Sequence, residues 1–329
     1  MPKADPTIYD VAKVAGVSIA TVSRVLNTST GVNPQTRAAV MAAIDQLSFV
    51  PKAESRARAL TSTGRIGVLI PFFTAPSFVQ RLRGIASVMS QKDYELVIYP
   101  IDTHPRMVSY LDTLPIRRNL EGLIIVSQVF DPSQITRLLE SHFETVMIES
   151  FDPNFSSLQI DDEAGGEMAA SYLLEKGHKR FAFVGGSDLP TFGHDPIVKR
   201  LAGFRRRLTD AGIDLPDTAV HCFVTDPKET LENLIVPGKP LAIFAATDLK
   251  AITLLKEARS LGLRIPQDMA IVGFDDIDMA AFMGLTTVRQ PLDESGKIAA
   301  ELLLSRLNDL NRSVQHIMLP LQIVVRETA

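Results

Sequence analysis

Residues 7–27 read TIYDVAKVAGVSIATVSRVLN, a stretch with two short amphipathic patterns on either side of a glycine. Thr7 and Asp10 have the spacing of a capping box at the start of a helix. Gly16 suits the left-handed conformation that ends a helix, and Ser18 can cap the next one. The stretch therefore predicts two helices joined by a tight turn. Their inward faces are Ile8, Val11, Ala12 and Ala15 in the first helix and Val22, Val25 and Leu26 in the second.

A third helix is predicted directly after this pair. Asn33 and Pro34 suit the cap and first-turn positions at its start. Its inward stripe is predicted to be Val40, Met41, Ile44 and Leu47. Three helices of this size can enclose a small core of their own.

The outer face of the second helix carries the side chains Ile19, Ala20 and Arg24. A helix-turn-helix places the start of its second helix in the major groove of DNA. Apolar side chains there can contact a thymine methyl group, and an arginine can donate two hydrogen bonds to guanine, worth about 1–3 kcal/mol of discrimination. We predict that these three residues read bases. A helical hairpin that packs on the rest of the protein is the alternative. The predicted contacts to the DNA backbone are Thr7, Tyr9, Ser18, Thr21, Ser23 and Asn27.

Charge is unevenly distributed along the 329 residues. The chain has 34 Lys and Arg against 38 Asp and Glu, a net charge of -4. Seven of the basic residues and four of the acidic ones lie in the first 60 residues. A basic head on an acidic body is expected of a protein whose head alone contacts a duplex.

Several classes of protein are disfavoured by what the sequence does not contain. The single cysteine, Cys222, leaves no internal disulfide or thiolate zinc site and indicates a reducing compartment. There is no signal-peptide pattern and no run of 18 apolar residues, so we expect a cytoplasmic protein without a membrane partner. No paired histidines, phosphate-cradling glycine loop or reactive constellation is visible. We therefore expect no enzyme, no catalytic residues, no cofactor and no bound metal.

Beyond residue 64 the pattern changes to short apolar runs separated by helical patterns. This alternation predicts an α/β body of two doubly wound parallel-sheet subdomains. Ligands of such sheets bind outside the carboxyl ends of the strands, which points to the cleft between the two subdomains. The predicted strands are Ile66–Ile70, Leu96–Tyr99, Leu123–Val126, Val146–Ile148, Phe181–Val184, Ile243–Ala245 and Ala270–Phe274.

Motifs along the whole chain resemble those of the lac repressor (LacI/GalR) family of bacterial transcription regulators. They are the head, residues 50–60, GVLIP, RLAGF at 200–204, GFDD at 273–276, TTVRQP at 286–291 and the ending LPLQIVVRE. The resemblance implies a repressor that binds a palindromic DNA operator as a homodimer. It also implies a core similar to periplasmic sugar-binding proteins (type I), in which a small-molecule effector controls DNA affinity.

The expected domains are a helix-turn-helix head at 1–49, a hinge segment at 50–64 and an effector-binding and dimerisation core at 65–329. Within the core we expect an N-subdomain of about 65–160 and 292–320. The C-subdomain is expected at about 161–291 and 321–329. The three crossovers then fall near Asp161, Gln290–Leu292 and Pro320.

The hinge segment departs from the pattern of the family. Members of that family usually form a helix here on DNA and wedge a leucine into the minor groove, which bends the duplex. An ungapped count puts Arg58 at the leucine position. Either a shifted register lets Leu60 enter the groove, which we favour, or Arg58 reads a narrow minor groove. A plain basic linker explains Arg56 and Arg58 equally well.

Polar side chains at the ends of predicted strands are the candidate effector site. In proteins similar to this one, the arginine matching Arg200 and the aspartate matching Asp275 hydrogen-bond effector hydroxyls. Phe72 and Phe73 offer rings for a sugar face or a flat base, although either could be core. The full predicted set is Phe72, Phe73, Glu149, Arg200, Thr247, Asp275 and Gln290.

Other acidic residues in these regions have simpler expected roles. Asp248 and Asp276 are expected to cap the helices that follow them, and Asp161 with Asp162 to open another. In the loop 187–196, Phe192, His194 and Asp195 either contact ligand or are solvated.

A sugar or sugar phosphate is the preferred effector, and a purine or nucleoside is the alternative. A cytoplasmic sugar-binding protein would explain the body but not the head. No leucine heptad follows the core, so we expect a dimer rather than a tetramer built by that route.

Overall fold

The computed structural model describes residues 6–27, 32–47, 49, 63–117, 119–141, 143–186, 196–221 and 226–329, with only the backbone at 26–27 and 116–117. The chain divides into two compact units, Met1–Thr63 and Gly64–Ala329. We call the first unit the head and the second the body.

The head contains three helices, α1 (Ile8–Ala15), α2 (Ile19–Asn27) and α3 (Pro34–Leu47). Gly16 ends α1 with φ 67°, as its missing side chain allows. The prediction for α3 was wrong at Met41, which is 45% exposed. Residues 40, 43, 44 and 47 share one helical face, so Ala43 packs inward and Met41 points outward. The buried core of the head is Val11, Ala12, Val22, Val25, Val40 and Ala43.

The start of each helix in the pair is held by side-chain hydrogen bonds. Asp10 accepts from the backbone N–H of Thr7 at 2.8 Å and from its hydroxyl at 2.7 Å. Thr7 and Asp10 thus form the predicted capping box. At α2, the Ser18 hydroxyl accepts from the N–H of Thr21 at 3.2 Å, as a cap should.

The body contains two six-stranded sheets, with orders β11-β5-β4-β3-β1-β2 and β12-β10-β9-β8-β6-β7. Every pairing is parallel except the antiparallel pair of β10 and β12. The first sheet consists of β1 (Arg65–Pro71), β2 (Glu95–Ile101), β3 (Gly122–Val126), β4 (Glu144–Ile148), β5 (Ser156–Gln159) and β11 (His316–Met318). The second consists of β6 (Phe181–Val184), β7 (Val220–His221), β8 (Leu241–Ala245), β9 (Met269–Asp275), β10 (Thr286–Arg289) and β12 (Gln322–Val324).

All seven predicted strands are confirmed, and five strands were missed. The missed strands β5, β7, β10, β11 and β12 are only two to four residues long. Such short strands carry too few residues for a recognisable alternation, so pairing with a neighbour defines them.

Helices cover both sheets. They are α4 (Pro76–Met89), α5 (His104–Arg117), α6 (Pro132–Leu139), α7 (Asp162–Glu175), α8 (Pro196–Asp210), α9 (Pro227–Leu234), α10 (Asp248–Ser260), α11 (Asp278–Phe282) and α12 (Leu292–Asn308). Apolar clusters lie on the two faces of the first sheet, and another surrounds the second. None of the helices described is long and apolar enough to cross a membrane.

The chain passes between the two sheets three times. It leaves the first sheet after β5, returns after β10 and crosses again between β11 and β12. These passages lie near Asp161, at Gln290 and Pro291, and at residues 319–321. Side chains at the first two passages therefore stand between the two halves of the body.

Candidate functional site

The outer surface of α2 presents the predicted base-reading residues. Ile19, Ala20 and Arg24 are exposed, whereas Val22 and Val25 on the opposite face are buried. The three side chains thus lie together on the exterior of the head. Their contact with DNA stays a prediction.

The predicted DNA-backbone residues surround the same region of the head. Tyr9 is 68% exposed, and Thr7 and Ser18 are also on the surface. Thr21 and Ser23 are half-buried, and the hydroxyls of Ser18 and Thr21 lie 2.9 Å apart. Asn27 ends α2, with its side chain outside the described residues.

Two predicted groups lie outside the described residues. The first is the hinge set Arg56, Arg58 and Leu60, and the second is the loop set Phe192, His194 and Asp195. The choice between Leu60 and Arg58 for the minor groove stays open as a prediction.

Gln290 joins the predicted effector residues in the body. Its side-chain amide nitrogen donates to Asp275 Oδ1 at 2.6 Å, and its amide oxygen accepts from Arg81 Nη2 at 2.8 Å. Arg81 Nη2 also donates to Glu149, whose other carboxylate oxygen accepts from the Ser127 hydroxyl at 2.8 Å. The network therefore connects strand ends of both sheets through the second crossover.

Arg200 is the second buried cation of this region. Its Nε donates to Asp162 Oδ1 at 2.8 Å and its Nη1 to the carbonyl of Ala246 at 2.7 Å. Its guanidinium carbon lies 3.5 Å from the centre of the Phe274 ring. Burial lowers the pKa of Arg200, but the charges of Asp162 and Asp275 outweigh burial and raise it. Asp162, expected only to open α7, therefore pairs with Arg200, while Asp161 caps the helix through the N–H of Ala164 at 2.9 Å.

Asp275 is a buried carboxylate within reach of both cations. It lies 3.9 Å from Arg200 Nη1 and accepts from Gln290. Burial raises its pKa to about 6, while Arg200 and Gln290 act in the opposite direction. A buried carboxylate held this way can exchange its protein partners for the hydroxyls of a ligand without losing its hydrogen bonds.

The expected capping roles of Asp248 and Asp276 were wrong. Thr247 caps α10, since its hydroxyl accepts from the N–H of Lys250 at 3.4 Å. Asp248 turns inward instead, and accepts from the Thr287 hydroxyl at 2.6 Å and the Ile277 N–H at 2.8 Å. Asp276 pairs with Arg289 at 2.6 Å and Arg326 at 2.7 Å. Long-range partners, invisible in local sequence, set both roles.

Phe72 and Phe73 follow β1 and differ in burial. Phe73 is exposed, whereas Phe72 is half-buried with its ring edge-on to Phe78 at 6.5 Å. Neither is fully buried. Phe73 is the ring more available to a ligand.

Strained backbone marks the carboxyl ends of the strands, a feature that sequence reasoning missed. Non-glycine residues with positive φ follow β1 (Phe72, 43°), β3 (Ser127, 51°) and β4 (Glu149, 52°), and end β9 (Asp275, 116°). Each such residue costs about 1–3 kcal/mol, and strain of this kind concentrates at functional sites. The residues with strained backbone lie in or next to the hydrogen-bond network.

Arg81 belongs to the network, and the sequence analysis missed it. It lies on α4, is only 2% exposed, and holds both Glu149 and Gln290. The sequence did contain a sign of its role. Arg81 shares a helical face with Gly84 and Ile85, and this face must be buried for α4 to cover the sheet.

Glycines fix the helices that carry the two arginines. A Cβ at Gly84 would overlap the carbonyl of Asp293, and one at Gly296 would overlap that of Arg81, so α4 and α12 touch backbone to backbone. The same holds for Gly166 and Gly203 between α7 and α8. Each half of the body thus positions one buried arginine through a close helix pair.

A more exposed set of contacts joins the two halves at the rim. Arg83 on α4 pairs across the halves with Asp278 on α11, and within its own half with Asp293 on α12, at 2.6 Å in each case. The N–H of Asp278 also donates to Gln80 at 3.0 Å. These contacts hold the halves together without using the residues of the network.

Comparison with known families matches both units. Residues 7–52 match the family described as bacterial regulatory proteins, lacI family, and residues 170–329 match the periplasmic binding protein-like domain. Over 323 residues the chain is 32% identical to the ribose operon repressor of Escherichia coli (strain K12), across 95% of this chain and 96% of that protein. It is 30% identical over 333 residues to the transcriptional repressor PurR of Vibrio vulnificus (strain CMCP6), across 98% of each.

Solved structures show the same architecture. The lac repressor dimer bound to operator and the anti-inducer ONPF has a TM-score of 0.73 at 25% identity, across 98% of each chain. The transcriptional regulator CelR in complex with cellobiose has a TM-score of 0.68 at 28% identity, across 98% of this chain and all of that one. The fold predicted from sequence, a helix-turn-helix head with two parallel-sheet subdomains, is confirmed.

Proposed function

Because this chain belongs to the lacI family of bacterial regulatory proteins, DNA-binding regulators that respond to small molecules, we propose that it represses sugar-utilisation genes. It binds a palindromic operator as a homodimer, and a sugar or sugar phosphate in the cleft of the body controls its affinity. It works in the cytoplasm, where bacterial DNA is, and without catalysis. The observation that carries the proposal is the buried network that joins Arg200, Asp275, Gln290, Arg81 and Glu149 at the strand ends.

The chemistry of the network favours a ligand with several hydroxyl groups. Each hydroxyl both donates and accepts, so it can be bound by a carboxylate and a guanidinium together. Hydrogen bonds to ionised groups contribute roughly 1.5–3 kcal/mol, more than neutral ones. Phe73 supplies an exposed ring for the apolar face of a sugar. Similarity to a ribose operon repressor and to a cellobiose-bound regulator supports the same class.

A purine or nucleoside is the second candidate effector. Similarity to a PurR repressor supports it, and Phe73 could stack on a flat base. Such a ligand would use fewer of the charged groups of the network. A thermal-shift panel of sugars, sugar phosphates and purines separates the two, since ligand at 100 times its Kd stabilises by about 2.7 kcal/mol.

The proposed mechanism is a rotation of the two halves of the body about the three crossovers. A ligand that replaces contacts among Gln290, Asp275 and Arg81 changes the balance between the arrangements of the halves. Whether it induces or corepresses follows from the arrangement that it binds better. In this scheme the domains are those expected from sequence: the head, the hinge segment with Leu60 or Arg58 in the minor groove, and the core.

The head performs the reading step. Ile19, Ala20 and Arg24 contact bases, and the surrounding hydroxyl and amide side chains contact phosphates. Arg24→Ala should weaken operator binding by about 1–3 kcal/mol and relax base preference at one position. Lys13→Ala, on α1, is the matched control for loss of one positive charge. Equal losses on operator and random duplex would contradict base reading by Arg24.

The ligand assignment is tested by fluorescence anisotropy on a labelled palindromic duplex. Asp275→Asn should abolish the response to the effector found in the thermal-shift panel while operator affinity in its absence is kept. A wild-type protein with no sequence preference at physiological salt would overturn the proposed function.

A further inference from the structure

A cavity of about 770 Å³ lies at the end of the second sheet opposite the cleft. Three segments line it: residues 176–180 before β6, residues 238–240 before β8, and Pro266 with Gln267 before β9, together with Ala329. The cleft residues follow the other ends of these strands. At about 3.3 Å per residue, the seven residues of β9 alone separate the two sites by roughly 20 Å.

The lining of this cavity is strongly basic. Lys176, Lys179, Arg180 and Lys239 contribute to it, and none of its lining residues is an aspartate or glutamate. Within the part of the chain that the structure describes, no ion pair involves the three lysines. The one anionic group in the lining is the terminal carboxylate of Ala329, whose oxygen accepts from the Tyr172 hydroxyl at 2.7 Å, so four basic side chains outnumber a single anion.

Arg180 supplies an incompletely used guanidinium. Its Nη2 donates to the carbonyl of Leu234, while its Nη1 is buried with no hydrogen-bond partner. Buried donors are nearly always paired, so the unpartnered Nη1 of Arg180 still has a hydrogen bond to donate. Beside it, burial lowers the pKa of His178, which leaves a neutral imidazole able to accept or donate.

The lysines are not all explained by the end of α7. Cations are favoured at the C-terminus of a helix, and Lys176 also lies over the ring of Tyr172 at 5.2 Å. Lys239 belongs to a separate tight turn closed by its pairing with Val236, and Arg180 starts the approach to β6. The end of α7 therefore accounts for Lys176 alone. The other basic residues come from chain segments that converge on the cavity.

The space beside these groups is open. Gly177 and Gly238, both with positive φ, would have nothing within 4 Å of an added Cβ. The volume falls in the range of about 300–1,000 Å³ typical of small-molecule sites. Guanidinium and ammonium groups are the usual partners of phosphate.

We propose that this basic cavity binds a phosphorylated small molecule with at least two negative charges, at a site separate from the effector cleft. Arg180 and Lys179 hold the phosphate, and Lys239 contacts it from the facing turn. The site would let the protein respond to a second class of metabolite, whichever ligand occupies the cleft.

The test is calorimetric titration of the full chain with pyrophosphate, inorganic phosphate, ribose 5-phosphate and ribose, at constant ionic strength set with chloride. The double variant Lys179→Gln/Lys239→Gln removes two cations of the cavity. Lys92→Gln/Lys256→Gln removes two exposed lysines elsewhere and is the matched control. Circular dichroism checks that each variant is folded.

We expect pyrophosphate to bind the wild type and the control variant equally, and the cavity variant at least about tenfold more weakly. Binding of pyrophosphate should persist in Asp275→Asn, because that variant alters only the cleft. The same variant therefore distinguishes a failure of this proposal from a failure of the proposed function. In Asp275→Asn, whose cleft no longer responds, tighter binding of ribose 5-phosphate than of inorganic phosphate would show that the cavity also contacts the sugar.

Three outcomes would overturn the proposal. One is that every phosphate compound binds with a Kd above about 1 mM. Another is equal affinity in the cavity and control variants, which would place the anion elsewhere. The third is binding of polyglutamate but of no small phosphate, which would make the surface a docking site for an acidic protein.

Discussion

At the scale of single residues, the two buried arginines differ in how completely their hydrogen bonds are satisfied. Arg200 is held by Asp162, the Ala246 carbonyl and the face of Phe274. Arg81 holds Glu149 and Gln290 through Nη2, while its Nε is buried without a partner. Arg200 is therefore anchored in its own half of the body, and Arg81 is the cation with a donor still to offer.

Removing Arg81 should expose its coupling to Glu149. Arg81→Met deprives a nearly buried carboxylate of its cation, and breaking such a pair costs about 3–5 kcal/mol. The double variant Arg81→Met/Glu149→Gln removes both charges and should recover most of that loss. A urea-unfolding double-mutant cycle measures the coupling. Additive losses would show that the pair does not act as a unit.

Asp248 should make stability depend on pH. Burial, followed by the charge of Asp275, raises its pKa from 3.8 to about 8. Because the folded state binds this proton more tightly, the contribution to stability is complete below about pH 4 and is lost as pH rises through about 8. Relative to Asp248→Asn, the wild type should lose up to about 1.4 kcal/mol per pH unit across that range, measured by urea unfolding.

The control for this prediction is Asp268, whose pKa Arg264 lowers to about 2. A lowered pKa has the opposite effect on stability. The contribution of Asp268 to stability is present above pH 3.8 and is lost only as pH falls through about 2. Asp268→Asn should therefore differ from the wild type by a constant amount between about pH 5 and 8. Parallel stability curves for the wild type and Asp248→Asn would contradict the role of Asp248.

At the scale of elements, two close helix pairs organise the body. The pair α4 and α12 covers the first sheet and carries Arg81, while α7 and α8 cover the second and carry Asp162 and Arg200. In both, facing glycines let the backbones touch. Any side chain at these positions must push the helices apart and displace the arginine.

Gly203→Ala tests this positioning. The new methyl group would overlap the carbonyl of Glu163, so we expect destabilisation of about 1–3 kcal/mol or more from overpacking. Ligand affinity should fall as well, because Arg200 lies one turn away on the same helix. Ser87→Ala, at an exposed position of α4, should change stability by less than about 0.5 kcal/mol. Unchanged stability in Gly203→Ala would mean that the helices can separate freely.

At the scale of the whole molecule, the body offers an apolar surface suited to a second copy. Phe282 is 86% exposed and Met279 52% exposed, one turn apart on α11, and Leu249 at the start of α10 is also exposed. Asp248 ties the two helix starts together through the Ile277 N–H. Large exposed apolar side chains that lie together mark interaction surfaces, and a similar protein, the lac repressor, is a dimer on its operator.

Phe282→Glu should therefore weaken the dimer. A charge in an apolar interface is costly to desolvate, so sedimentation should show a shift from dimer to monomer together with weaker operator binding. Leu310→Glu, another exposed apolar position, is the control and should leave the dimer intact. A Phe282→Glu protein that sediments as the wild type would exclude this surface.

Much of the fold could be predicted because its signals are local. Gly16, Ser18 and the spacing of Val22 and Val25 define the helix pair, and apolar runs such as Leu123–Val126 define the buried strands. Short strands such as β11 could not be predicted, since three residues carry no period and only a neighbouring strand makes them β. The site divides in the same way: Asp275 and Glu149 follow recognisable strands, whereas Arg81 lies inside a helix.

By itself the sequence determined the family, the head with its exposed α2 face, and the parallel-sheet body, because periodicity and capping act over a few residues. Only the tertiary structure decided that Arg81 joins the cleft and that Asp248 and Asp276 turn away from capping. It also decided that four cations converge on one cavity. These features depend on residues up to about 200 positions apart, such as Arg81 and Gln290, brought together when the helices pack on their sheets.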